Sequence, residues 1–407
     1  MDDALDLALN GYAFLPDRRR ARGGGPVPLR LAGLRATALC GPDAVRFFYD
    51  EAHVRRSGAL PEPLRGTLFG KDSVHSLDGA HHRRRKHLFV SLLTGDGVGD
   101  LVRHVTAAWD DAAAGWDGPT VLIDEAARVV TRGVCAWTGV PDGPGLARDL
   151  TSLVDGFATA GPRHWRARRA RGRLERRFAA LVERAREHPG GTTAVDTMAW
   201  HREADGRLLP PRVAAVELLN VIRPTVAICW FVAFAAHALT LRPELRPRLA
   251  DEAFATAFTH EVRRFYPFAP FVGGRAVADL EFGGVAIPRG SMVLLDLWGQ
   301  NHDATLWPEP FAFRPERFVG RPVGATELIP QGGGDPRTGH RCPGEQITVA
   351  VLTALVRRLA ALDYDLPPQD LGISLRRIPA RPADGVVVVP RRAGAVTSSR
   401  SAASGRS

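Results

Sequence analysis

The chain has 407 residues, 45% of them apolar and 24% charged, the balance of a soluble globular protein with a substantial core. Its four cysteines, Cys40, Cys135, Cys229 and Cys342, show neither paired nor metal-finger spacing, which excludes a disulfide frame and a zinc site. The net charge of +10 could suggest nucleic acid, but Lys71 and Lys86 are the only lysines, so the excess reads as an arginine-rich coding bias and no nucleic-acid fold signature accompanies it.

The opening MDDALDLALNGY is acidic and has no apolar stretch of signal-peptide type, so a cytoplasmic protein is expected. Residues 1 to about 60 read as loops, a strand pair LRLAGL and RATALC, and a short helix after Gly41-Pro42-Asp43. From about 100 to 265 apolar residues recur at three and four, predicting helices over VRHVTAAWDDAAAGW, ARDLTSLVDGF, RLERRFAALVERAREH, VAAVELLNVIRPTVAICWFVAFAAHAL and EAFATAFTHEVRRFY. The longest apolar run, Val226 to Leu239, is too short to cross a bilayer and reads as a buried helix, so the chain is not expected to span a membrane. Beyond Pro267 glycine and proline become dense, with strand-like DLEFGGVAI and SMVLLDLWG, and a last helix is expected from Gly344 to about Leu362. The segment 393–407, AGAVTSSRSAASGRS, reads as a disordered tail. No linker divides the middle, so residues 1–392 are expected to form a single large domain, mainly α with a small β region.

The chemistry concentrates near GHRCPGE, residues 339–345. Cys342 stands before Pro343 and Gly344, beside His340 and Arg341, and follows the run Gln331-Gly332-Gly333-Gly334. An irregular loop of this kind can present a thiolate to a metal, with peptide N–H groups turned toward the sulfur. Upstream, Glu261 and Arg264 lie three apart on one helix face, where they can pair. FRPERF, with Arg314 and Arg317, follows about fifty residues later.

Glu-x-x-Arg, Pro-Glu-Arg-Phe and Arg-x-Cys-x-Gly in that order resemble the cytochrome P450 family of haem-thiolate proteins. The resemblance implies a mainly helical cytochrome P450 fold, haem b ligated through Cys342, and a structural cluster of Glu261, Arg264 and Arg317. A thiolate ligand pushes electron density onto iron and favours O–O cleavage, and N–H groups around the sulfur tune that push.

Two departures from the family pattern narrow the reading. The stretch before the cysteine is expanded to QGGGDPRTGHRCPGE, and the long central helix reads ELLNVIRPTVAICW, with Arg223 and Pro224 where an acid and an alcohol would relay protons to dioxygen. Proline inside a helix removes a hydrogen bond, clashes with the carbonyl four residues back (Asn220) and costs about 3 kcal/mol; an unpaired buried arginine costs several more. Either Arg223 pairs internally, with Glu217, or lies on the outer face, or it faces the haem cavity and awaits an anion for which its forked donors suit a carboxylate. With these features the chain resembles one branch of the family, the fatty-acid peroxygenases, over about Tyr12 to Arg391. That branch includes hydroxylases and olefin-forming decarboxylases.

The resemblance implies that Arg223 binds the fatty-acid carboxylate and that hydrogen peroxide replaces dioxygen, reductase and a dedicated redox partner. The bound carboxylate then serves as general acid–base between the two peroxide oxygens, and its fixed position exposes the α and β carbons to oxidation. His75, in GKDSVHSLDG, is placed over the haem beside the carboxylate, as in decarboxylating members of the branch. Phe69, Leu77, Phe268 and Phe271 are candidate lining residues for the substrate. His82 and Lys86, four apart on one helix face, together with Arg56 and His340, are candidate haem-binding residues. The rival expectations are a reductase-dependent monooxygenase, favoured by the general family pattern, and a non-catalytic haem- or fatty-acid-binding protein.

Overall fold

The structure, a computed structural model, describes residues 2–59 and 61–391. The expected tail at 393–407 lies outside the described residues.

Helices dominate. Asp96–Ala114, Leu122–Thr138, Pro162–Glu187, Pro211–Val226, Ile228–Leu241 and Glu345–Ala361 pack around one large apolar core. Their inward faces carry the three-and-four spacing that burial requires. The last of them begins within a residue of the expected start and ends one residue early. The helix Pro162–Glu187 begins eleven residues earlier than RLERR suggests, because RHWRARRARG carries too few apolar residues to show a period. Two N-terminal helices, Ala4–Asn10 and Phe14–Ala21, occupy a stretch read as loop.

The central helix is interrupted where the sequence places proline. Its first part ends at Val226, Ala227 forms a turn, and Ile228–Leu241 continues. Pro224 has no N–H to return to the Asn220 carbonyl, and the break follows within one turn. Pro211–Leu241 together is long and apolar enough to cross a membrane, longer than the run Val226 to Leu239 alone, yet 94% of its most apolar stretch is buried inside the protein. Packing against neighbouring helices accounts for its composition.

The β region is small. A five-stranded sheet runs in the order Val27–Leu31, Leu34–Leu39, Met292–Asp296, Phe271–Ala276 and Val54–Arg55. The strands Leu34–Leu39 and Met292–Asp296 pair in parallel and the other neighbours antiparallel. The hairpin register Val27↔Ala38 to Leu31↔Leu34 turns Val27, Leu29 and Leu31 inward onto Phe14 and Leu15. The helix Pro42–Tyr49 crosses from this sheet toward the cysteine loop.

The expected ion-pair cluster is present, with Glu261 and Arg264 fully buried and Arg317 half-buried at its edge. Glu261 accepts from Arg264 Nε at 2.7 Å and Nη2 at 2.8 Å, and Arg317 Nε stands 3.3 Å from the same carboxylate. The backbone N–H of Arg314 donates to Glu261 at 2.7 Å, and Arg264 Nη1 donates to the carbonyls of Asn301 and Pro310, both at 2.8 Å. One buried carboxylate thus joins the helix Glu252–Phe265 to the segment that precedes the cysteine loop. Arg264→Ala would leave Glu261 buried without its bidentate partner. Urea denaturation is expected to show a loss of about 3–5 kcal/mol.

Candidate active site

Helix Glu345–Ala361 starts behind Cys342, with Gly344 at its N-cap position. Cys342 N donates to the Gln331 carbonyl at 3.2 Å, closing the loop on itself. Gln331 Nε2 lies 3.7 Å from Cys342 Sγ and donates to Thr348 Oγ1 at 3.0 Å. Burial pushes the thiol up, while the Lys86 charge, the Gly344 N–H and Gln331 pull it down. Donors are therefore already aimed at the sulfur, as a thiolate ligand needs.

Two of the loop's glycines serve packing rather than approach to the sulfur. Gly332 has φ +90°, and a Cβ there would lie 2.4 Å from Tyr49 Oη; one at Gly333 would lie 2.3 Å from Val45 Cγ1. The expanded loop can therefore lie flat on the helix Pro42–Tyr49. A second ion-pair cluster holds its other side: Glu345 accepts from Arg341 Nε at 2.6 Å and from Arg263, and Arg263 Nε donates to Gln331 Oε1 at 3.2 Å. Sequence reasoning missed this cluster. Arg263 stands beside Arg264 in sequence, and only the fold brings it to the loop.

Between the cysteine loop and the central helix lies a cavity of about 220 Å³. Cys342, Pro343, Gly344 and Gln331 form one wall; Asn220, Val221, Pro224 and Thr225 form the opposite one. His75, His82, Lys86 and His340 also line it. His82 and Lys86 share a face of the helix Gly79–Leu93, as their spacing predicts. The His82 ring stacks on His340 at 3.8 Å, and His340 Nε2 lies 3.5 Å from Asp78. Burial, reinforced by the neighbouring positive charge, pushes His82 down to about 3; burial alone pushes Lys86 down to about 8, against the opposite pull of Cys342. Arg56 is buried as well, donating to the Gly273 carbonyl at 2.7 Å with its guanidinium over the Phe48 ring at 4.1 Å.

On the opposite side, Arg223 is 6% exposed and donates to Asn220 Oδ1 at 3.3 Å through Nη2. Its Nε is buried without a partner, and among the described residues it has no carboxylate partner. Glu217 does not pair with it: that carboxylate is occupied by Arg85 at 3.0 Å, the Val74 N–H at 2.7 Å and Asn220 Nδ2 at 3.1 Å. The internal-pairing alternative is thereby excluded. Burial and the like charge of Arg171 push Arg223 down to about 9, which still leaves it cationic at neutral pH. Arg223 is not itself part of the cavity wall. It adjoins the wall residues Asn220 and Pro224, and its charge is felt by both Cys342 and His75.

His75 lies on a short turn, Val74–Ser76, with its Nδ1 buried and unpartnered. Burial, then Arg223, His340 and Lys86, push it well below its ordinary range, so the imidazole is neutral. Phe69 joins this group: its ring is 4.6 Å from His75 and 6.0 Å from the Arg223 guanidinium. None of the four predicted lining residues, Phe69 included, is part of the cavity wall. Leu77 directly follows the His75 turn, Phe268 packs on Phe231 at 5.0 Å, and Phe271 packs with the apolar cluster of the N-terminal strands.

The family model for cytochrome P450 matches residues 249–370, which hold Glu261, Arg264, Arg317 and Cys342. The solved structure of cytochrome P450SP alpha in complex with (R)-ibuprophen is 41% identical, covers 96% of this chain and 98% of its own, and superposes with a TM-score of 0.92. This chain belongs to the cytochrome P450 family. Cytochrome P450EX alpha with myristic acid is 36% identical, with 95% and 96% coverage and a TM-score of 0.91; ligand-free cytochrome P450 OleT is 32% identical over the same shares, with a TM-score of 0.92. Among curated sequences, carnosic acid synthase of Rosmarinus officinalis is 33% identical over 119 residues, 28% of this chain and 23% of its own length. Cytochrome P450 78A11 of Oryza sativa subsp. japonica is 31% identical over 140 residues, 32% and 25% of the two chains. This P450 thus spans about a quarter of the length of those curated relatives.

The P450 fold implies a haem cofactor. The residues present suit one. The Cys342 sulfur, with N–H donors, faces a helix wall, and the cations Lys86 and Arg56 stand with the imidazoles of His82 and His340, His82 Nδ1 being left unpartnered. Anionic side groups of a cofactor would meet two cations and two neutral imidazoles there, each able to donate a hydrogen bond. The double substitution His82→Leu, Lys86→Met is expected to fold with a lowered haem content. The ratio of haem to protein absorbance in the purified protein checks this.

Proposed function

We propose that this P450 is a peroxygenase carrying haem b, which uses hydrogen peroxide to oxidise fatty acids at the α and β carbons. The products are 2- and 3-hydroxy acids with one water released, and, by loss of carbon dioxide, terminal alkenes with two. The observation that carries the reading is Arg223: a buried cation without a counter-anion among the described residues, next to a cavity bounded by Cys342. A buried charge of this kind costs several kcal/mol unless a partner arrives, and a fatty-acid carboxylate supplies that partner. The cytochrome P450EX alpha structure, a P450 of similar fold, was solved with myristic acid.

Haem held by the Cys342 thiolate supplies peroxide cleavage and C–H oxidation. The chain's own residues do the rest. Arg223 holds the carboxylate at a set distance from the cysteine side, so the α and β carbons come nearest to it. Pro224 ends the helical hydrogen bonding there and replaces the alcohol that would otherwise move protons. The held carboxylate takes the proton from one peroxide oxygen and returns it to the other. Neutral His75 can donate one N–H toward that headgroup, and Phe69 covers it from water. His82, Lys86, His340 and Arg56 hold the cofactor's carboxylates. In this reading the enzyme works in the cytoplasm, without a redox partner and without nucleic acid.

Arg223→Ala is expected to abolish peroxide-driven turnover of fatty acids while the haem absorbance spectrum stays unchanged. Gas chromatography of products from a fatty-acid mixture with peroxide measures it. Turnover that needs NAD(P)H and redox proteins instead would favour a conventional monooxygenase. His75→Gln is expected to lower the ratio of alkene to hydroxy acid severalfold in the same assay, and an unchanged ratio would remove His75 from the choice between products.

A further inference from the structure

The central helix presents Glu217, Asn220 and Arg223 at successive steps of three residues. Glu217 is 0% exposed, and every contact its carboxylate makes is with a donor: Val74 N–H, Arg85 Nη1 and Asn220 Nδ2. Arg85 is also paired with Glu203 and donates to the Asp72 carbonyl, so its one charge is shared between two carboxylates, and burial pushes the Glu217 carboxyl up from its ordinary range. Asn220 Nδ2 donates both to Glu217 at 3.1 Å and to the Phe69 carbonyl at 3.0 Å, which leaves its Oδ1 to accept from Arg223 at 3.3 Å. An amide has one acceptor end and one donor end. Two acceptors on the Nδ2 side therefore dictate which end meets the guanidinium.

We infer that Glu217 is a positioning residue for substrate binding: through Asn220 it orients the Arg223 guanidinium, and through Val74 it holds the turn that carries His75. The inference rests on the reading of Arg223 as the carboxylate site. One buried carboxylate sets both groups that face the substrate headgroup. It acts on Arg223 through Asn220 and not by direct contact, since no ion pair joins Glu217 to Arg223 among the described residues. Replacing the carboxylate by an amide puts an N–H where an acceptor stood. The Asn220 side chain is then free to turn, and its own N–H would oppose the donors of Arg223.

The test compares two ligands of equal chain length, myristic acid and myristyl alcohol, bound to the haem-loaded protein and followed by calorimetry. The alcohol has no charge for Arg223 to hold. Glu217→Gln is expected to weaken the acid about tenfold, the size of one lost hydrogen bond to a charged group, with the alcohol unchanged. Should that variant fail to fold, Asn220→Ser breaks the same connection from the middle and is expected to give the same selective loss. Equal weakening of acid and alcohol, or no weakening of either, overturns the positioning role. Arg223→Ala separates the two levels. If it leaves acid binding unchanged, the carboxylate site itself is wrong and the inference falls with it; if it weakens the acid alone, only the role of Glu217 is at stake.

Discussion

A guanidinium buried with no anion of its own is the constraint around which this site is arranged. Arg223 keeps its charge at neutral pH although burial and Arg171 both work against it. A protein could remove the strain by moving Glu217 toward it, yet Glu217 is committed to Arg85 and to the loop before His75. The deficit is thus maintained by a neighbouring ion pair. What Arg223 has instead is one amide oxygen, from Asn220, and the ring of Phe69 nearby. Neither neutralises it, and a ligand with an acid headgroup can.

The same economy of charge recurs across the cavity. His82, Lys86, His340 and Arg56 converge near Asp78, with Asp335 also acting on Lys86, and burial lowers the proton affinity of each of the four. Two basic residues, Lys86 and Arg56, are therefore buried in the interior rather than spread on the surface. Opposite, the sulfur is held by a loop pinned from two directions: Tyr49 and Val45 against its glycines, and Arg263 with Glu345 at its base. Rigid support on both walls means that the distance from sulfur to guanidinium is a property of the fold, and with it the carbons that come within reach of oxidation.

The central helix couples these features. Glu217, Asn220, Arg223, Pro224 and Thr225 all come from one stretch, and the proline breaks the helix at Ala227, just beyond the residues that face the cavity. The break leaves an apolar second half, Ile228–Leu241, to anchor the whole element in the core. Function sits on the strained half and stability on the regular half, an arrangement consistent with strain being tolerated only where packing over-determines the backbone.

Much of this was legible in the chain itself. The order of Glu261, Arg264, Arg317 and Cys342 identified the fold, because each residue does a job that few others can do. An arginine and a proline inside an apolar run pointed to a buried charge, with pairing to Glu217 or an outer-face position as the alternatives that the structure then removed. Spacing of four was enough to put His82 and Lys86 on one face. Spacing could not say that Glu217 would turn to Arg85 rather than to Arg223, that Arg263 would reach Gln331 and Glu345, or that Gly332 and Gly333 would meet Tyr49 and Val45. Nor did it show that Phe268 and Phe271 pack away from the cavity wall. Local sequence determined which side chains carry the chemistry, because periodicity and residue type act within a few turns. Only the tertiary structure decided which of them meet, because partners of a buried charge are chosen among groups that lie dozens to hundreds of residues apart until the core closes.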